Sequence, residues 1–260
     1  MKIIDCFTFY NELKMLEFRL AELNDDVDYF VLVESTFTHT DNKKDLYFEK
    51  NKNLYSKYLH KIIHIIVDDM PNTENAWDNE KYQRKCINRG IQQLTLNDDD
   101  VIIISDVDEV PDTETLQKIK NKRIIIDDLY NLEQVMYYYN ITNRNKKFWY
   151  HAKVVNYHQY CKKYNHECDR MRLTKLGRRK NISNGGWHFS YFMSEEKIAN
   201  KIKNFGHQEF NNDEFTDVES IKQKIKSGED LFSRGKVGWE NIKIEENAYL
   251  PKNYQMLLNW

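Results

Sequence analysis

The chain has 260 residues, enough for one substantial core, and its 40% hydrophobic and 31% charged residues with only 8 Gly and 3 Pro describe a folded globular protein, not a disordered or fibrous one. Lys+Arg 39 against Asp+Glu 41 leaves a net charge of -2, so no global basic field draws it to nucleic acid. No apolar run approaches the roughly 18 residues of a transmembrane segment, and MKIIDCFTFYNE meets acidic residues too soon for an export signal, so a cytoplasmic setting is expected.

From the N-terminus, KIIDCFTF reads as a strand, after which Asn11 is placed to cap a helix whose Leu13, Leu16, Leu20 and Leu23 share one face. YFVLVES and KIIHIIVD are the next strands, EKYQRKCINRGIQQL a helix, and VIIIS a further strand. Strands alternating with helices predict an α/β fold with a mostly parallel central sheet, and in such sheets ligands sit beyond the carboxyl ends of the strands. Past a helix beginning near Asp112, LEQVMYYYNI and FWYHAKVVNYHQY look like antiparallel strands, which adds a smaller β part. SEEKIANKIKNF and DVESIKQKIKSG then read as helices, the first capped by Ser194 and the second ended by Gly228, and the tail YLPKNYQMLLNW is expected to pack back as a cap. Cys6, Cys86, Cys161 and Cys168 form no CxxC pair, so reduced thiols are expected.

VIIISDVDEVPD sets Asp106, Asp108, Glu109 and Asp112 where a buried strand ends. If the backbone stays extended, Asp106 and Asp108 face one side, and their repulsion is relieved by a divalent cation, Mn2+ or Mg2+, that also holds a ligand phosphate. Asp112 reads as the cap of the following helix. NGGWHFSYF, whose GGWH reads as a loop, offers paired glycines including Gly186, an aromatic plate at Trp187 and a metal ligand at His188. Trp149 is a second aromatic plate or a core residue. Lys175, Arg178, Arg179 and Lys180 in KLGRRKN are able to close over phosphates or form a solvated loop.

DCFTFYNELKMLEFRLAEL, DYFVLVESTFTHT, WDNEKYQRKCINRGI, DDDVIIISDVDEVPD, GGWHFSYF and IKNFGHQEFN, followed by GEDLFSR, resemble the ordered blocks of family 17 glycosyltransferases. The resemblance implies a GT-A-like fold as one glycosyltransferase domain over 1–260: a nucleotide-binding half to about 125, an acceptor and metal-completing half over about 126–235, and a tail over 236–260. It also implies a UDP-sugar donor, with UDP-GlcNAc preferred, a glycan acceptor, a divalent metal and inversion at the anomeric carbon. Carried onto this chain, Asp106 lies near ribose and metal, Asp108 chelates the metal, and His188 adds a further contact. Phe7, Glu34 and Arg84 become nucleotide-pocket candidates with Arg178, Arg179, Gly186 and Trp187. Inverting transfer needs a base; Glu209 in FGHQEF is the first choice, oriented by His207, with Asp213 and Glu109 behind it. DVDEV also resembles the loop of haloacid-dehalogenase-type phosphatases, with Asp106 as nucleophile, and the aromatic content suits a non-catalytic glycan-binding module.

Overall fold

The computed structural model describes residues 1–71, 73–234 and 238–258. Its first half carries β1 (Ile3–Phe9), β2 (Tyr29–Ser35), β3 (Ile62–Val67) and β4 (Val101–Asp106), all parallel, in the spatial order β3-β2-β1-β4. Covered on both faces, β1, β2 and β4 are near-continuous apolar runs rather than alternating ones, while the edge strand β3 leaves Ile66 exposed. Ile3, Phe7 and Phe9 of β1 pack on one side with Leu16, Leu20 and Leu23 of the helix Leu13–Leu23, while Ile4 and Cys6 pack on the other with Ile87 and Ile91.

Beyond β4 the sheet turns mixed. β5 (Glu109–Pro111) leaves β4 after a turn, and β8 (Lys153–Asn156) adds antiparallel to β4. β6 (Tyr130–Tyr138) pairs through its start with β8 and through its end with β7 (Asn140–Asn145), whose other neighbour is β10 (Trp239–Asn241). β9 (Asn181–Ser190) runs parallel to β6 and antiparallel to β5, so that His188 lies opposite Glu109. The fold is mixed α/β, with a parallel half and a mixed half in one sheet of ten strands among the described residues.

Several local expectations need correction. Asn11 does not cap its helix; Glu12 holds the N-cap position and turns its carboxylate back onto the N–H groups of Tyr10 and Asn11. The helix expected over 80–94 is two, Ala76–Lys85 and Ile87–Ile91, meeting at Cys86. Only Lys153–Asn156 of FWYHAKVVNYHQY is a named strand, because Asn156 accepts a hydrogen bond from the Gln159 N–H at 2.8 Å and starts the helix Tyr157–Lys162. NGGWHFS lies within β9 rather than in a loop. Asp112 does cap Thr113–Lys120, accepting from the Glu114 N–H at 3.1 Å, and Gly228, at φ 71°, ends Val218–Ser227.

The tail packs back: the N–H groups of Lys252 and Asn253 donate to the buried Glu22 carboxylate, and Leu257 is buried. Residues 236, 237, 259 and 260 of the expected tail lie outside the described residues. All four cysteines are free thiols. Among the described residues, no helix is long and apolar enough to cross a membrane.

Candidate active site

A cleft of about 480 Å³ opens beyond the carboxyl ends of β1, β2 and β4, lined there by Thr8 and Phe9, by Thr38 and His39, and by Asp106 and Asp108. Its other walls come from one face of the helix Ala76–Lys85, from Arg172 and His188, and from Lys201 on the helix Glu195–Asn204. This is where a sheet of parallel strands places ligands.

The acidic turn is fixed from below. Arg19, fully buried, stacks on Phe7 and makes a bidentate pair with Asp5 at 2.6 and 2.8 Å. Its remaining N–H groups reach the Ser105 hydroxyl at 2.7 Å and the carbonyls of Asp106, Val107 and Glu109 at 3.0, 3.1 and 2.8 Å. A guanidinium's five donors in a rigid fork suit this task, since three carbonyls of a tight turn point towards one side.

Because the chain turns at Val107 and Asp108 instead of staying extended, Asp106 and Asp108 take different partners. Asp106, 38% exposed, accepts from Arg172 at 2.7 Å and faces Arg84 at 3.8 Å. Burial pushes its carboxyl up, but the two guanidiniums outweigh that and hold it well below the usual carboxylate range. Asp108 sets one oxygen 3.7 Å from His188 Nε2 and the other 3.2 Å from Lys201 Nζ. Lys201 resists the loss of its proton on burial because Asp108 and Glu12 surround it.

Glu109 is fully buried beneath the turn. It accepts from both terminal nitrogens of Arg172 at 2.6 and 2.7 Å, from Trp149 Nε1 at 2.5 Å and from the Asp106 N–H at 3.0 Å. Burial raises its carboxyl pKa, Arg172 lowers it, and the net shift is downward. Trp149 in turn packs at a tilt against His188 with ring centroids 4.5 Å apart, which ties the histidine to the same network.

Of the expected site residues, the fold brings Asp106, Asp108, His188 and Arg84 to the cleft, with Trp149 beside them. It does not bring the others. Phe7 is core beneath Arg19, and Glu34 is buried against the Phe48 N–H and His64. Trp187 is buried, stacked on Tyr249 and donating to its carbonyl, so it is a core plate and not a sugar platform. Gly186 serves strand contact: at φ 126° an added Cβ would stand 2.1 Å from the Val110 carbonyl oxygen. Arg178 and Arg179 are exposed on the turn Arg178–Lys180, outside the cleft lining. Glu209 is 57% exposed and bonded to His207, and Asp213 is exposed at the start of Asp213–Thr216; neither lines the cleft. Both Glu109 oxygens accept from internal donors, so none of the three expected bases lines the cleft.

Of the expected metal ligands, Asp108 and His188 come together as a pair. An oxygen and a nitrogen 3.7 Å apart are spanned by one small cation with bonds of about 2.1 Å, and His188 Nδ1 is buried without a partner, so nothing holds the ring proton away from either nitrogen. Among the described residues, no three His, Cys, Asp or Glu side chains form a metal-holding group. Asp108 and His188 would hold such a cation as two protein ligands, while Asp106 is engaged by arginine.

A family model described as Glycosyltransferase family 17 matches residues 1–239. The β-1,4-mannosyl-glycoprotein 4-β-N-acetylglucosaminyltransferases of Rattus norvegicus and Homo sapiens are each 31% identical over 116 residues, 42% of this chain and 22% of theirs. That of Mus musculus is 30% identical over 116 residues. The matched stretch spans about a fifth of the length of these relatives.

Proposed function

Because the chain belongs to glycosyltransferase family 17, we propose that it moves GlcNAc from UDP-GlcNAc onto a glycan hydroxyl, with inversion to a β linkage, on a GT-A-like arrangement of its sheet. The observation that carries the reading is the convergence of Asp108, His188, Lys201, Arg84 and Arg172 on one cleft at the strand ends. A departing nucleoside diphosphate develops negative charge, and fixed cations in a partly enclosed cleft stabilise that charge more than water does. Lys201, 3.2 Å from Asp108, is the side chain placed to meet a phosphate oxygen beside that carboxylate. A divalent cation held by Asp108 and His188 would supply charge neutralisation of the diphosphate. Arg172 and Glu109 keep Asp106 oriented towards the ribose side of the donor. The names of the mammalian relatives suggest a β-mannosyl acceptor, and that extension rests on the matched fifth of their length. Family membership favours sugar transfer over ester hydrolysis by Asp106, whose carboxylate Arg172 already engages at 2.7 Å.

A panel of UDP-sugars tests this, scored by thermal shift and by UDP release with manganese and with chelator. The expected result is greatest stabilisation and release with UDP-GlcNAc plus manganese. A clear preference for another nucleotide sugar would remove the donor assignment, and equal activity in chelator would remove the metal.

A further inference from the structure

With the three expected bases outside the cleft, the proton of the acceptor hydroxyl needs another destination. Four carboxylates line the cleft among the described residues: Glu12, Glu80, Asp106 and Asp108. Glu12 accepts from two backbone N–H groups and faces Lys201 at 3.4 Å. Asp106 is held by Arg172, and Asp108 lies between His188 and Lys201. Glu80 differs. Its Oε1 accepts from Arg84 at 2.6 Å, whereas Oε2 stands 3.8 Å from His39 Nδ1, beyond hydrogen-bond length.

The tautomer of His39 follows from its other contact. Gln83 donates its amide to the Val33 carbonyl at 3.0 Å, so its oxygen is the atom 2.8 Å from His39 Nε2. An amide oxygen only accepts, so Nε2 carries a proton, and in the neutral tautomer Nδ1 keeps its lone pair. In that tautomer Glu80 Oε2 and His39 Nδ1 face each other across 3.8 Å as two acceptors, at 21% and 22% side-chain exposure in the cleft wall. A hydroxyl group supplies what this pair lacks.

The surroundings suit a sugar. Trp77, Glu80, Lys81 and Arg84 recur at helical spacing along Ala76–Lys85 and all line the cleft, so this helix turns one polar and aromatic face into it. Trp77 is 38% exposed, with its ring edge to His207 at 4.5 Å between centroids, and a partly exposed indole beside hydrogen-bonding groups is an adequate plate for a pyranose ring. Gly206 closes over both residues: an added Cβ would stand 2.7 Å from Glu80 Oε2 and 3.0 Å from the Trp77 ring.

We propose that Glu80 is the catalytic base of the transfer, that His39 Nδ1 shares the acceptor hydroxyl with it, and that Trp77 carries the acceptor ring. The assignment rests on the transferase reading above. In the step, the acceptor oxygen forms a bond to the anomeric carbon as its proton passes to Glu80 Oε2. The bond from that carbon to the β-phosphate oxygen breaks, its electron pair leaves with UDP, and Glu80 later returns the proton to solvent.

The test follows UDP release from UDP-GlcNAc with manganese, using p-nitrophenyl β-D-mannoside and, separately, water as the acceptor probe. Donor binding is measured by calorimetry on the same proteins. Glu80→Gln keeps the bond to Arg84 and removes proton acceptance, so turnover should fall by about 10²- to 10⁴-fold while donor affinity stays within about threefold. Gly206→Ala, which crowds both the Glu80 carboxylate and the Trp77 plate, should lower turnover in the same direction by at least about tenfold. Turnover of Glu80→Gln within about tenfold of wild type would overturn the assignment, as would a loss of donor binding that accounts for the whole effect. A wild-type protein that neither binds nor consumes any UDP-sugar would instead overturn the transferase reading itself, an outcome visible before any variant is compared.

Discussion

Residues 106–112 and 209–217 each carry four acidic side chains, Asp106, Asp108, Glu109 and Asp112 in one and Glu209, Asp213, Glu214 and Asp217 in the other, yet the fold treats them oppositely. The first stretch is met by cations distant in sequence: Arg19, Arg172 and Lys201 reach it from 63 to 93 residues away. The second makes local contacts, Glu209 with His207 and Asp217 with the Ser220 N–H that it caps. Ionised groups taken out of water persist only when paired and hydrogen-bonded, whereas exposed ones persist at little cost and contribute little. A charge run becomes a site when long-range partners hold it in place, and its composition alone does not say whether they will.

The strongest way to break that contrast is to remove the clamp. Arg19→Met leaves Asp5 buried without its partner and frees three carbonyls of the acidic turn. A loss of about 3–5 kcal/mol is expected, the range for breaking a buried ion pair from one side. Urea denaturation measures it, and UDP-GlcNAc affinity should fall in the surviving folded fraction because the turn is no longer fixed. Unchanged stability would mean that the turn does not depend on its buried cation.

Asp108→Asn comes next. It preserves shape, keeps an oxygen near His188 and removes the charge, so folding should be nearly intact while transfer falls by about 10²- to 10³-fold, as when one electrostatic contact to a leaving group is lost. Manganese-dependent UDP binding should fall with it, read by calorimetry with metal and with chelator. Full metal-dependent binding by this variant would detach the acidic turn from the donor.

How much of this was readable beforehand depends on the range of the interactions. The parallel strands and their order of appearance were legible because burial on both faces leaves unbroken apolar runs, and β2 matches YFVLVES residue for residue. The cleft at the end of β4 was legible for the same reason. β9 was not, because paired glycines read as a loop, whereas Gly186 is there to let β9 approach β5. Arg19 left a signal that went unused: it stands three residues after Leu16 and four before Leu23, so an arginine lies on the apolar stripe of its helix. Arg172 and Lys201 left none, since their partners are set by tertiary contact. Glu80 was present in WDNEKYQR, and only the fold shows that its spacing with Trp77 and Arg84 faces the cleft.

A smaller effect sharpens the picture beneath the turn. Lys153, buried near Arg172 and Glu109, is pushed down to about 8 by burial first and by Arg172 second, with Glu109 opposing. Its folded pKa lies below the unfolded value near 10.4, so between about pH 8 and 10 the unfolded chain binds more protons and this lysine's contribution to stability rises with pH. Comparing wild type with Lys153→Met by denaturation at pH 7 and pH 10 cancels the titrations the two proteins share. Wild type should gain on the order of 1 kcal/mol relative to the variant at the higher pH. An unchanged difference would mean that Lys153 is solvated in the folded protein.

The smallest effect belongs to the outer stretch. Glu209 was the first choice for the base on its position in FGHQEF, but its carboxylate is 57% exposed and accepts from His207 Nδ1 at 2.7 Å. The exposed pairing lowers its pKa, first through the His207 hydrogen bond, which makes a weaker proton acceptor rather than a stronger one. Glu209→Gln should therefore shift stability by less than about 0.5 kcal/mol, the usual scale for an exposed pair, and leave UDP release within about twofold of wild type. Steady-state rates with UDP-GlcNAc and manganese decide the matter. A fall of about 10²-fold or more would return the base to this rim and require the Glu209 side chain to turn into the cleft that His207 and Phe210 already line, making the outer acidic stretch the functional one.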